Sequence, residues 1–597
     1  MSTLSSMSLP GHPELCSVPQ ARGFTPPPHP LAALRADEMV IISRVVKSFN
    51  PTKTLAFRRI LLIEPAKALV VPYLKAELAG TRLPPAPPRY GQALFYFQGD
   101  SSFMEAIIDI RTQKIISQRH LEGLHGPGDD DEVLEVAAAS LRSPLVQKEI
   151  ERLQLPEGCE VVAEPWPYGT DDTPVDIRLY QVWYFLNLEK TKDHPSANFY
   201  AHPLDFSSVV DPRDMSVVRV DRMPTKTDLD ADTSPDTRWT PNSNSEYAPD
   251  LIPGGVRKDL KPLHISQPEG VSFTVGLDGE TIKWQKWSFR VTFDVREGMV
   301  LRNVVYDGRP LFYRMALSEM TVPYGDPRAP VHRKSAYDLG ECGAGQTANN
   351  LQLGCDTGIM SVTPVDLNTD CTSLKYGTVV ADGVFAPHHQ HIIVYDDTVA
   401  MPRDEKNPHG VGFEVFTTKV EAESAFNLDW TTNRVVKMVN PKSLNRFSGK
   451  PVGYKIVAPP TQLGLAHETS MHNTRGEFVN NHLHVTKHSD NELFAAGEHP
   501  WQSIGGQGGC RTWAARQRPV GAGEGVVWFT LGFTHATRSE DWPVMSSEVF
   551  RMHFKPAGFF DYNPAIDVPP SNQRMNKSTL AAIDKPVVGA MCCAGKL

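Results

Sequence analysis

The chain has 597 residues, of which 40% are hydrophobic and 22% charged, a composition typical of globular proteins with several domains. The formal net charge of −9 argues against a nucleic-acid-binding surface. No apolar run reaches the length of about eighteen residues that a membrane-spanning helix needs, and the start shows no secretory signal. The eight cysteines have no metal-binding spacing, so we expect reduced intracellular thiols.

The first structured unit is predicted to be a small α+β domain over residues 29–122. Residues 1–28, before it, are polar and proline-rich, which predicts a disordered tail. Asp37 is expected to cap a helix whose apolar residues recur on one face. Strands are expected at 93–97, 106–110 and 114–117.

A second α+β domain is predicted over residues 123–228. Its helix, over 132–153, is expected to be interrupted at Ser143-Pro144, because proline cannot continue the hydrogen bonding of a helix. Strands are expected at 178–186 and 216–220. The order of helix and then strands is the same in both units, which suggests two similar small domains.

A large β domain is predicted over residues 229–570, followed by a tail at 571–597. The polar stretch 224–250 is typical of a linker, and after it short alternating apolar runs dominate. This pattern favours a β-sandwich. Its strands are expected at 271–275, 282–289, 300–305, 311–317, 379–385, 435–439, 526–533 and 549–554.

Two histidine pairs have the spacing of metal ligands on a strand. His389 and His391 are two residues apart, so their side chains would share one face and could bind one ion. His482 and His484 have the same spacing, which shows that chance also supplies such pairs. The first pair is favoured because His535, in an apolar strand-like segment, is a candidate third ligand. Three imidazoles with open positions suit copper or zinc.

At these residues the sequence resembles the copper amine oxidase family. Members carry a His-Gln-His strand and a distant third histidine before an acidic-Trp-Pro motif, here His389, His391 and His535 with Glu540-Asp541-Trp542-Pro543. The run VPYGDPRAPVHRKSAYDLGECGAGQTANNLQLGCD at 322–356 resembles the segment of the catalytic base. The likeness is nearest to fungal peroxisomal members. Other similar segments lie at 29–38, 197–206, 267–275 and 559–570.

The resemblance implies a fold, two cofactors and a reaction. The expected fold is two small cystatin-like α+β domains followed by a large all-β catalytic domain, a supersandwich, in a homodimer. The expected cofactors are copper and topaquinone. The expected reaction converts a primary amine and oxygen to an aldehyde, ammonia and hydrogen peroxide.

The resemblance also implies roles for single residues. Asp338 aligns with the general base that takes a proton from the α-carbon of the amine, and a carboxylate suits this role when partial burial raises its pKa. Tyr324 aligns with a tyrosine that orients the quinone. Ala336 aligns with the gate of the substrate channel, where a small side chain suggests an open channel. Met545 aligns near the copper but is expected to pack beside it.

The sequence departs from the family where the quinone should form. Topaquinone is made from the tyrosine of an Asn-Tyr-Asp/Glu motif, and no asparagine of this chain is followed by tyrosine. Asp356 runs directly into Thr357, where several dozen residues of the family pattern are expected to be missing. A second shortening is expected near 393–394, where relatives carry acidic residues of a peripheral metal site.

Three functions therefore stay open from the sequence. The first is a copper-dependent primary amine oxidase, with the activity of this chain in doubt. The second is a non-catalytic copper-binding family remnant, or a splice or gene-model variant of the oxidase. The third is a metal hydrolase using three histidines and an acid. The ending Gly595-Lys596-Leu597 resembles the peroxisomal Ser-Lys-Leu address, so we expect a peroxisomal or otherwise a cytoplasmic protein.

Overall fold

The architecture was analysed in a computed structural model of the chain. It describes residues 28–169, 177–223, 239–241, 245–262, 269–346, 372–382, 393–400, 403–431, 434–506, 508–520, 525–536, 538–543 and 551–569, with the backbone alone at 372–382, 393–400, 413–416 and 535–536. The two predicted tails, apart from Pro28, lie outside these ranges. Among the described helices, none has the length and apolar character needed to cross a bilayer.

The first unit is a four-stranded antiparallel sheet covered by helix α1. Ile42 and Val46, one helical turn apart, are fully buried against Ala93 and Phe95 of the sheet. The predicted cap was wrong by two residues: the helix begins after Arg35, whose backbone N–H donates to the Glu38 side chain at 3.0 Å. The elements are α1 (Ala36–Phe49), β1 (Leu55–Ile63), α2 (Lys67–Leu78), β2 (Tyr90–Phe97), β3 (Phe103–Asp109) and β4 (Lys114–His120).

The second unit is also a four-stranded antiparallel sheet with two helices, but both helices precede its strands. The Asp129 side chain accepts from the backbone of Glu132 at 3.0 Å and caps the first helix. Pro144 begins the second helix, so the predicted interruption is confirmed. The elements are α3 (Asp130–Arg142), α4 (Pro144–Leu153), β5 (Glu160–Pro167), β6 (Tyr180–Asn187), β7 (Pro203–Asp211) and β8 (Ser216–Arg222).

A nine-stranded sheet forms the first layer of the large domain. Its order is β20-β21-β15-β13-β12-β11-β10-β9, with β14 also paired to β13. The strands are β9 (Phe273–Val275), β10 (Thr281–Trp284), β11 (Trp287–Asp294), β12 (Gly298–Tyr306), β13 (Arg309–Pro323), β14 (Ser335–Tyr337), β15 (Thr372–Asp382), β20 (Leu483–Lys487) and β21 (Gly525–Ala536).

A five-stranded sheet forms the second layer, in the order β17-β16-β18-β19-β22. Phe312 and Phe529 of the first layer pack with Met438 and Ile456 of the second in one buried core. Each such side chain contributes about 1.5–3 kcal/mol on burial. The predicted α+β units and β-sandwich are therefore confirmed. The strands are β16 (Ile393–Ala400), β17 (Phe413–Thr417), β18 (Val436–Leu444), β19 (Pro451–Val457) and β22 (His553–Ala557), and short helices α5 (Met471–Gly476) and α6 (Cys510–Ala514) lie in the loops.

One predicted strand, at 282–289, is a hairpin instead. Trp284 pairs with Trp287 across a tight turn in which Gln285 has a φ of +54°. The run looked continuous because both arms are apolar, and the polar turn is only two residues long. Two other predicted strands, at 379–385 and 549–554, lie partly outside the described residues.

A buried ion-pair network joins the first α+β unit to the large domain, and a cation–π contact joins the second. Glu64, which follows β1, accepts from Arg302 at 2.7 Å and from Arg314 at 2.9 Å. Arg178 of the second unit donates to Glu132 at 2.7 Å and lies 4.4 Å from the ring of Trp501 in the large domain. These contacts fix the α+β units against the large domain, and Arg314 lies on β13, the strand that pairs with β14 at the candidate site.

Candidate functional site

The predicted site begins where β14 returns beside the end of β13. Val322 pairs with Ala336, and the backbone N–H of Tyr324 donates to Lys334 at 3.3 Å. Residues that face each other across a ladder share a side of the sheet. The register therefore brings Tyr324 and Ala336 to one side of the sheet.

Asp338 begins a π-helical turn, Asp338–Cys342, directly after β14. Its side chain is half-buried between Tyr337 and Leu339, both fully buried. The backbone N–H of Gly343 donates to the Asp338 carbonyl at 2.7 Å and closes the turn. Short π-helical turns often occur at functional sites because they place one side chain out of the regular helical register.

Two buried carboxylates contact the turn, and neither was predicted from the sequence. Glu319 accepts from the backbone of Leu339 at 3.0 Å and of Gly340 at 3.3 Å. Glu341 accepts from the backbone of Tyr337 at 2.7 Å and from the Arg475 guanidinium at 2.6 Å. Burial raises the pKa of Glu319, and it raises that of Glu341 to about 7 although Arg475 opposes it.

An aromatic wall from the second α+β unit faces Tyr324. The Trp166 ring lies edge-on to the Tyr324 ring, with centroids 5.7 Å apart. The Lys334 ammonium lies 4.6 Å from the Tyr324 centroid and 5.1 Å from that of Trp183. Burial also raises the pKa of Glu164, although the Tyr200 hydroxyl donates to it at 2.6 Å. Ala336 is buried at this position and is not part of an open surface.

Of the predicted metal ligands, the described structure places only the backbone of His535. It lies in β21 and pairs with Ser373 of β15. His389 and His391 lie outside the described residues, as does Met545. Within the described ranges no three histidine, cysteine or acidic side chains form a group able to hold a metal ion.

The second histidine pair is buried in the sheet. His482 and His484 lie at β20, and the Nδ1 atoms of both have no hydrogen-bond partner. Burial lowers both pKa values, that of His484 to about 4, so these imidazoles are neutral at physiological pH. The His482 Nε2 lies 3.3 Å from the Thr461 carbonyl, and its ring lies edge-on to Trp430.

Three protein-family models match the chain in order along its length. The copper amine oxidase N2 domain matches residues 29–121, and the N3 domain matches 131–238. The copper amine oxidase enzyme domain matches in two segments, 274–357 and 356–575. These segments meet at the junction where the sequence predicts missing residues.

Individual relatives give the same result. Copper amine oxidase 1 of Aspergillus niger is 34% identical, with 95% of this chain and 99% of the relative covered. The peroxisomal primary amine oxidase of Pichia angusta is 26% identical, with 92% and 93% covered. The crystal structure of a copper-containing benzylamine oxidase from Hansenula polymorpha superposes with a TM-score of 0.78 at 32% identity, covering 91% of this chain and all of that one.

Proposed function

Because the chain belongs to the copper amine oxidase family, we propose that it carries the site of a copper-dependent primary amine oxidase. The reaction converts a primary amine, oxygen and water to an aldehyde, ammonia and hydrogen peroxide. The observation that carries the proposal is the side of the sheet shared by Tyr324 and Ala336, next to the turn of Asp338. It lies inside the first matched segment of the enzyme domain.

In this proposal Asp338 accepts the proton from the α-carbon of the amine. Its partial burial and its place at the start of a rigid turn support the role. In a chain that carried the quinone, Tyr324 would orient it, and the small Ala336 side chain would leave room for the amine at the channel end. In a chain with the quinone-forming segment restored, Asp338→Asn should lower kcat about 10²–10⁴-fold. Turnover equal to that of the parent would refute the assignment.

The residues present do not fit topaquinone, because no Asn-Tyr motif exists in the chain. Two findings support a missing stretch. The enzyme-domain match breaks at 356–357, and the alignment with the Aspergillus niger relative spans 680 residues, more than the 597 of this chain. We therefore propose that the chain as written does not oxidise amines. Skipped splicing is the proposed origin of the missing stretch. Sequencing transcripts across the codons of Asp356 and Thr357 tests this origin, and an uninterrupted junction in every transcript would exclude it.

His389, His391 and His535 are the proposed copper ligands. Ser373 pairs with His535 and Asp382 with Val526. At about 3.3 Å per residue, β15 therefore ends about 30 Å along the sheet from His535. The chain from Asp382 to His389 spans at most about 25 Å. For His389 and His535 to bind one ion, the chain from Asp382 to His389 must therefore return along the sheet toward His535 in an almost fully extended form.

Copper binding without quinone colour supports a non-catalytic copper-binding remnant of the oxidase. We expect one copper ion per chain by calorimetry, and at least a tenfold weaker affinity in His535→Ala. His482→Ala is the matched control and should bind copper as the parent does. Loss of copper binding in His482→Ala alone would show that the metal site lies at β20 instead.

The proposed assembly is a homodimer. The β9–β10 hairpin, at one end of the nine-stranded sheet, exposes Val275, Leu277 and Trp284. Clustered exposed apolar side chains mark surfaces that bind another protein. Sedimentation equilibrium should give a dimer that Leu277→Asp weakens, whereas Val40→Asp, on the exposed face of α1, should not. A parent protein that sediments as a monomer would refute this assembly.

The proposed location is the peroxisome. Relatives named peroxisomal support it, and Gly595-Lys596-Leu597 is the candidate address. A fluorescent protein fused to the N-terminal side should collect in peroxisomes, and removal of Leu597 should release it to the cytoplasm. Cytoplasmic fluorescence in both cases would refute the address.

A further inference from the structure

We propose that Glu319 and Glu341 are positioning residues that hold the Asp338 turn, with Arg475 fixing Glu341. The inference rests on the proposed role of Asp338 as the base. It concerns groups that do not touch the amine, and it assigns them a function in the reaction through the backbone of residues 337–343.

The backbone on both sides of Asp338 is held by carboxylates that have no contact with water. Glu319 is 0% exposed and Glu341 1% exposed. The three N–H groups of Tyr337, Leu339 and Gly340 donate to them. Because these donors and acceptors are buried, opening the turn breaks hydrogen bonds that water cannot replace without entering the site. The turn is therefore fixed more strongly than a loop whose amides face water.

The carbonyls of the same turn are held by the two α+β units. Arg59 of β1 donates to the Leu339 and Cys342 carbonyls, each at 3.3 Å. The backbone N–H of Gly128, before α3, donates to the Glu341 carbonyl at 3.2 Å. All three structural units thus converge on five residues, and this convergence gives the α+β units a place in positioning the base.

Arg475 is the counter-charge of Glu341. Its Nη2 donates to Glu341 at 2.6 Å and to the Pro500 carbonyl at 2.8 Å, and its guanidinium lies 4.7 Å from the Tyr337 ring centroid. The guanidinium is 1% exposed. Such a pair keeps one geometry, because any rotation of either side chain leaves a charge buried without a partner.

The two carboxylates differ in a way that makes the proposal testable. Both oxygens of Glu341 accept hydrogen bonds, one from Arg475 and one from Tyr337. In Glu341→Gln the amide NH₂ would face one of these donors, so one bond is lost. Glu319 uses Oε1 for all its bonds, and its Oε2 has no partner. In Glu319→Gln the amide NH₂ can take the place of Oε2 and every bond is kept.

Hydrogen exchange measured by mass spectrometry on the chain as it exists tests the positioning directly. In Glu341→Gln the amides of 337–343 should exchange at least tenfold faster, and in Glu319→Gln at the parental rate. Glu421→Gln is the matched control, because Glu421 is also fully buried and accepts from Arg518 and from the backbone of Lys487. It should leave exchange of 337–343 unchanged. Parental exchange in Glu341→Gln, or equal acceleration in the control, would overturn the proposal.

A kinetic measurement separates positioning from general stability. With the missing segment restored, Glu341→Gln should lower kcat at least tenfold, leave KM within twofold and raise the primary deuterium isotope effect of the α-carbon. Glu421→Gln should keep all three values. If Glu341→Gln does not fold, Arg475→Lys, which keeps the charge and loses one of two donated bonds, is used instead. Fast amide exchange in Glu341→Gln, combined with full turnover in Asp338→Asn, would refute the proposed base and leave the positioning intact. Parental kinetics in Glu341→Gln would refute the positioning alone.

Discussion

The two halves of the candidate site are built in different ways. The half around Asp338 is fixed by buried charges and by hydrogen bonds from three structural units. The half that should supply the cofactor depends on the chain between β14 and β21, where the enzyme-domain match is split and the Asn-Tyr motif is absent. A site assembled from distant residues keeps its geometry when one contiguous segment is lost, whereas a cofactor made from a single side chain disappears with that segment.

The largest expected effect comes from repairing the second half. Inserting the segment of the Aspergillus niger relative between Asp356 and Thr357 should raise amine-dependent peroxide release from background to about 1–10³ per second, the common range of enzymes. Release is measured with aliphatic, aromatic and polyamine substrates. The same insert with phenylalanine in place of the quinone-forming tyrosine is the control and should stay at background. Turnover without the tyrosine would show that the account of the cofactor is wrong.

The second-largest effect is expected in the half of the site around Asp338. Arg475→Leu leaves Glu341 buried without a counter-charge, so the free energy of unfolding should fall by about 3–5 kcal/mol. Adding Glu341→Leu removes the unpaired charge and should recover most of the loss. Denaturant unfolding followed by tryptophan fluorescence measures both variants. An Arg475→Leu variant as stable as the parent would mean that the Arg475–Glu341 ion pair does not stabilise the turn.

A smaller effect is expected at Gly340, which packs against the loop after β20. A Cβ there would lie 2.1 Å from the Pro500 Cγ and 2.9 Å from the Glu319 Oε2. Gly340→Ala should therefore destabilise by about 1–3 kcal/mol through overpacking. It should also speed amide exchange in 337–343. Unchanged stability together with unchanged exchange would show that the turn has more room than its packing indicates.

The smallest effect is a pH dependence. The pKa of Glu341 is raised to about 7 by burial, so the folded state holds its proton above the unfolded value of about 4.5. Its contribution to stability is full below about pH 4.5 and falls as pH rises to 7. Glu64 behaves oppositely: Arg302 and Arg314 lower its pKa against burial, and its contribution is lost only in acid. The unfolding midpoint of the parent should therefore fall between pH 5 and 8, and that of Glu341→Gln should fall less steeply over the same range. An unchanged slope would contradict this assignment.

The elements of the fold that local patterns define were predictable from sequence. The break before Pro144 and the alternating strands of the sandwich follow from local chemistry. Helix α2 was missed because Pro72 lies inside it. Strands β1, β5 and β7 were missed because their runs do not alternate clearly between apolar and polar residues.

Only the residues of the candidate site that lie in a family sequence motif were predictable. Asp338, Tyr324 and Ala336 were identified from family likeness, and the structure places Tyr324 and Ala336 on one side of the sheet. Glu341 and Arg475 are 134 residues apart, and Arg59 and Leu339 are 280 apart. No periodicity or spacing links such pairs, so only a folded chain reveals them. An acidic residue inside the largely apolar second half of a strand, as at Glu319 in β13, was the available signal.

This chain is proposed to keep the proton-accepting half of an amine oxidase site without the ability to form the quinone. The most direct measurement is the visible absorption spectrum of the purified chain after loading with copper in air, followed by addition of phenylhydrazine. The account predicts no quinone band and no hydrazone band in the chain as written, and both bands once the missing segment is restored. A quinone band in the chain as written would contradict it.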